Sequence, residues 1–146
     1  MPGQKENVEM WNPRKILFLA AALAAACDSY SSGPDTGDGS VTGSYAGTVD
    51  GTEGGDPFML EATLALTEYL GTVTGTFTTD AGTAGSISGT VSGSTVTFTI
   101  NQTAPCAGTF SGTASITNGG DRLTGTYSGT SPCTEALTAS FVVNRD

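Results

Sequence analysis

The chain of 146 residues contains no histidine. Its absence removes the usual general base at neutral pH and the commonest metal ligand. Basic residues are scarce as well: five stand against 14 acidic ones, and Lys5, Arg14 and Lys15 all precede Cys27. From Cys27 onward only Arg122 and Arg145 face twelve carboxylates, a net charge of about −10. Such a surface repels phosphate backbones, which excludes nucleic acid as a partner. It also avoids anionic membrane surfaces unless it is tethered. Ser and Thr hydroxyls are abundant, but with no His, and no Lys beyond Lys15, nothing is available to activate them as nucleophiles. The expectation is a non-enzymatic protein with no catalytic residues and no cofactor. Long apolar runs are missing too. The longest, Ile16 to Ala26, has 11 residues, where about 20 are needed to cross a bilayer.

That run is an address. Arg14-Lys15 followed by ILFLAAALAAA and then Cys27 has the basic, apolar and small-residue regions of a secretory signal peptide over residues 1–26. Met10 is an alternative start, since MWNPRK makes a more compact basic segment than the mixed-charge residues before it. The exit LAAAC resembles the lipobox of bacterial lipoproteins, which implies that Cys27 is lipidated and becomes the mature N-terminus. Leu23 stands one residue further from the Cys than that family usually places it. Ala24-Ala25-Ala26 is also an ordinary A-x-A cleavage site, which leaves soluble secretion as the alternative. Residues 27–40 continue as DSYSSGPDTGDGS after the Cys, rich in Gly, Ser, Asp and Pro, and read as a tether. The expected location is the bacterial cell envelope, periplasm or cell surface, with the membrane engaged through Cys27.

The domain expected over residues 41–146 is marked by a repeated pentapeptide: VTGSY at Val41, VTGTF at Val73, ISGTV at Ile87, FSGTA at Phe110 and LTGTY at Leu123. Apolar residues or Gly alternate with Ser or Thr, the period of a half-buried strand. Eight such segments follow one another: 41–49, 58–66, 73–77, 87–91, 96–100, 110–116, 123–129 and 137–143. Short turns join them, with Ser92-Gly93-Ser94-Thr95 and Asn118-Gly119-Gly120-Asp121 as two-residue hairpins and Asp80-Ala81-Gly82 slightly longer. Short turns imply an antiparallel meander. The expected fold is all-β, an eight-stranded up-and-down barrel, with a two-sheet β-sandwich as the alternative.

In five strands the central inward residue is Gly, which costs about 0.5–1 kcal/mol relative to Ala in a strand. Two readings follow. Gly lets strands coil and makes room for rings from across the lumen, or a small-residue tier hollows the barrel into a cavity. A hollow lumen would present Tyr45, Leu64, Phe77, Phe98, Phe110, Tyr127 and Phe141 to a ligand. Meander barrels with T-G-T-aromatic strands resemble the avidin/streptavidin and lipocalin (calycin-like) group, and Val41 to Tyr45 and Leu123 to Tyr127 carry the likeness. The resemblance implies an eight-stranded barrel over 41–146. The biotin site of the family needs lumen Trp residues, and the one Trp here is Trp11. Biotin binding does not carry over.

Two further groups stand out. Asp50, Glu53 and Asp56 flank glycines in a stretch that reads as a loop and offer oxygen ligands for Ca²⁺, although the spacing departs from an EF-hand. Cys106 and Cys133 remain once Cys27 is lipidated, and an exported chain favours their pairing. Centring a hairpin on Gly119-Gly120 pairs Gly112 with Tyr127, Ala114 with Gly125 and Ile116 with Leu123. The same register puts Cys106 opposite Cys133, with Cα atoms close enough for a disulfide. The first functional expectation is an interaction module of the envelope, for example an inhibitor acting on a secreted protein partner. The second is a carrier of a small apolar ligand, and an enzyme comes third.

Overall fold

The computed structural model describes residues 39–146. The expected signal peptide, Cys27 and the tether as far as residue 38 lie outside the described residues. Eight strands follow in chain order: β1 (Gly43–Glu53), β2 (Asp56–Tyr69), β3 (Thr72–Thr79), β4 (Ala84–Ser92), β5 (Thr95–Ala104), β6 (Gly108–Thr117), β7 (Arg122–Ser131) and β8 (Thr134–Arg145). Each pairs antiparallel with its sequence neighbour, and β1 pairs with β8, so the sheet closes into a barrel. The architecture is the expected meander and not a sandwich, and it is consistent in general terms with a calycin or lipocalin-like fold. Closure satisfies the edges that a flat sheet would expose.

Period-two patterning places Tyr45 and Val49 of β1, Ala62 and Leu66 of β2, and Phe98 and Ile100 of β5 inside. Thr and Ser of the opposite parity face out, where β-branched Thr suits strand geometry and stays solvated. Among the described residues no polar or charged residue is fully buried. The β6–β7 register matches the expected one, with Gly112 opposite Tyr127, Ala114 opposite Gly125 and Ile116 opposite Leu123. The connection itself is wider than a two-residue hairpin. Asn118–Gly120 form a short 3-10 turn, and the Asp121 N–H donates to the Asn118 carbonyl at 3.3 Å.

Two inward glycines show why the repeat needs Gly. A Cβ on Gly112 would fall on the Thr126 carbonyl oxygen, 2.9 Å from Phe98 Cζ, and one on Gly125 would stand 2.8 Å from Phe141 Cε1. Neighbouring strands approach closely at these points and a ring occupies the space. The glycines therefore both coil the strands and seat the aromatic cluster.

One correction concerns β1. The stretch 50–56 is not a loop: Asp50 and Glu53 belong to β1, Asp56 opens β2, and only Gly54-Gly55 turn. The alternation that begins at Val41 runs on through Gly51 to Glu53. Positive φ at Gly54 and Gly55, 58° and 96°, makes so tight a turn accessible.

The β2–β3 hairpin is equally tight but less suited to its geometry. Leu70 and Gly71 turn with φ of 49° and 75°, and the Leu70 side chain is 86% exposed. A left-handed conformation costs a Cβ-bearing residue about 1–2 kcal/mol, and Asn bears it more easily. Leu70→Asn is expected to stabilise the domain by about 1 kcal/mol. The measurement is the urea midpoint, which should rise with an unchanged slope.

Candidate functional site

The two ends of the barrel differ. At one end the chain enters through Ser40 and Val41, and Val41 is fully buried. The Val41 N–H donates to Glu68 Oε2 at 2.9 Å, and the Glu68 N–H donates to Thr42 Oγ1 at 2.9 Å, which pins the entering segment to β2. The Tyr45 hydroxyl donates to the Gly120 carbonyl at 2.7 Å. Arg145 Nη2 donates to the Tyr45 hydroxyl at 2.9 Å, to the Gly120 carbonyl at 3.0 Å and to the Ser40 carbonyl. Its guanidinium also lies 5.4 Å from the Tyr45 ring centre, and its Nε stands 3.5 Å from Asp121 Oδ1. Entering segment, 118–121 turn and last strand are thereby laced together, and this end is closed.

The opposite end carries the β1–β2, β3–β4, β5–β6 and β7–β8 connections. There Cys106 and Cys133 form a disulfide with Cα atoms 6.0 Å apart, joining the last two of these connections. Both half-cystines line a cavity of about 460 Å³ that runs down the lumen to Val41. Most of its wall is aliphatic or aromatic. Its volume falls within the usual range for a small-molecule site, about 300–1,000 Å³.

Of the seven residues expected in the lumen, Leu64, Phe77, Phe98 and Phe110 line this cavity, as do Tyr127 and Phe141. Tyr45 does not. Its ring is wholly buried at the closed end and its hydroxyl is held by Gly120 and Arg145, so it braces the floor instead of meeting a ligand. Phe98 and Phe141 meet edge to face at 5.8 Å between centres, and Phe110 and Tyr127 likewise at 6.1 Å. Burial pushes the Tyr127 hydroxyl up to about 12, so it presents a neutral phenol at any physiological pH.

Among the described residues no three His, Cys, Asp or Glu side chains come together as a metal site, so the Ca²⁺ candidate is not assembled. Asp50 instead accepts a hydrogen bond from the Ser140 hydroxyl at 3.0 Å on the outer wall. Glu53 and Asp56 sit directly opposite each other beside the turn. Glu53 has a different place from the one expected. It is half-buried and lines the cavity at the mouth, the one carboxylate to do so among the described residues. Inward parity extended from Val41 would have found it. Thr79, Thr83 and Gln102 add polar atoms to the lining near the same end, and Gln102 Nε2 donates to the Cys106 carbonyl at 3.0 Å. No protein-family model matches the chain, and no curated protein sequence matches it significantly.

Proposed function

We propose that this protein is a non-enzymatic carrier that holds a small apolar or amphipathic molecule in the barrel lumen. The observation that carries the reading is the cavity itself, about 460 Å³ of apolar space, floored at Val41 and open at the disulfide-bearing end. A barrel of eight strands can either fill its lumen with side chains or hold one small ligand, and a filled lumen would have favoured the interaction module. Burial of an apolar chain in such a lumen contributes about 25 cal/mol per Å² of apolar surface removed from water, without any specific polar contact. Titration with Nile red, a neutral apolar dye, tests the reading. Saturable binding at one dye per protein, displaced by a medium-chain alcohol, is the expected result. Dye fluorescence that never saturates would count against a lumen site.

The carrier is exported and held at the cell envelope by lipid on Cys27, with residues 1–26 removed and the residues between Cys27 and the entering segment at Ser40 acting as a tether. Support comes from the Arg14-Lys15 and Ile16–Ala26 pattern before the Cys. Mass spectrometry of the membrane fraction is expected to find a diacylglyceryl-modified Cys27 as the first residue. An unmodified N-terminus in the soluble fraction would replace the anchor with free secretion.

A further inference from the structure

We infer that the lumen selects cationic amphiphiles, molecules with one apolar chain and one amine or ammonium head, and that the head is held at Glu53. The inference rests on the carrier reading and adds the chemistry of the ligand. It begins with what surrounds the mouth. Glu53 lines the cavity there, and its cross-strand partner is Asp56, a second carboxylate on the same face of the sheet. Like charges placed directly opposite repel, so a cation between them removes a penalty that the empty mouth carries. Glu135 lies against Gly54 in the same turn. Asp80 stands in the β3–β4 connection, beside Ala81 and Thr83 of the cavity lining.

The positive charges are elsewhere. The described residues contain two cations, Arg122 and Arg145. Arg122 opens β7 opposite Thr117 and Asn144, at the closed end. Arg145 is committed to Tyr45, Gly120, Ser40 and Asp121 at that same end. A carboxylate or phosphate head at the mouth would therefore meet only like charge and no charged donor. Sinking such a head into the apolar lumen would leave it unpaired, which is prohibitive. An ammonium at Glu53 meets an opposite charge at the edge of a low-dielectric lumen, where the attraction is stronger than in open water. An alcohol falls between the two.

Displacement of Nile red from the purified protein by decylammonium, decanol and decanoate, each below its micelle concentration, tests this. The apolar chain is the same in all three, so the order of affinities reports the head alone. Decylammonium is expected to bind about tenfold tighter than decanol, with decanoate weakest. The preference for the amine should shrink as sodium chloride is raised. Glu53→Gln keeps the shape and removes the charge. It should lower the ratio of amine to alcohol affinity about tenfold, whereas Asp56→Asn, at the exposed rim of the same turn, should lower it less. Decanoate binding as tightly as decylammonium, or a ratio unchanged in Glu53→Gln, would overturn the selectivity while saturable decanol binding left the carrier standing. If neither Nile red nor any of the three binds saturably, the carrier reading falls and takes this inference with it.

Discussion

Replacing Cys106 and Cys133 together by Ser is expected to lower the unfolding free energy by about 3–4 kcal/mol on the chain-entropy argument. The bond closes a loop across a sequence separation of 27, and it thereby restricts the unfolded chain far more than the folded one. In a domain of this size the loss corresponds to a fall in melting temperature on the order of 15–25 °C. The consequences extend to function, because both half-cystines line the cavity at its mouth. Without the bond, the β5–β6 and β7–β8 connections are no longer held to each other, and ligand should leave faster. Bound ligand should in turn restore part of the lost stability, since it binds the folded barrel alone. Calorimetric melting of the oxidised protein and the double Ser variant, with and without a saturating medium-chain alcohol, reads the two stability effects, and stopped-flow release of bound Nile red reads the third. Thiol counting on the denatured, unreduced protein provides the independent check. Two reactive thiols at Cys106 and Cys133 would refute the pairing.

The disulfide was legible because it depends on register alone. Pairing Gly112 with Tyr127 and Ile116 with Leu123 follows from matching inward residues on two strands joined by one turn, and the same sum reaches the cysteines. A register slip by one residue would turn every apolar side chain of β7 outward, so the pattern leaves little freedom. Strand count and barrel closure follow from the same regularity. Whether the lumen is filled was not legible. The inward residues are the same in a collapsed and an open barrel, and the radius depends on strand tilt and stagger, which no single strand encodes. Glu53 was missed for a local reason. Asp50, Gly51 and Gly54-Gly55 resemble loop chemistry, so the sequence pattern ends the strand at Val49. In the structure Gly51 is one more inward glycine of the kind already present at Gly43 and Gly47, packed against Ala139 of β8. Tyr45 shares the inward parity of the lining residues but lies beyond the cavity, because parity says which face a residue occupies and not how far along the barrel axis a ligand reaches.

Phe141→Ala is expected to have the largest effect of a single substitution, about 3–5 kcal/mol of lost stability. Phe141 is 7% exposed and meets Phe98 edge to face, and Tyr127 lies 6.3 Å from it between ring centres. Its ring also lies on Gly125, where the strand has no side chain with which to fill a gap. Truncation therefore removes apolar burial and two ring contacts, and the coiled backbone around Gly125 cannot close over the space. The same change should enlarge the lumen, because Phe141 is part of the cavity wall. The two consequences separate a core role from a lining role. If Phe141 only supports the fold, the variant melts early and binds each chain length as before, once measured below its melting point. If it also limits the cavity, the preferred ligand shifts toward longer or bulkier chains, and the added contacts recover part of the stability that the ring supplied. Denaturant unfolding together with a series of alcohols from hexanol to tetradecanol reads both quantities on one preparation. A loss under about 1 kcal/mol would mean that the site collapses after truncation, and an unchanged chain-length preference would accompany it. The aromatic cluster would then be an adjustable filling and not the wall that sets the size of the lumen.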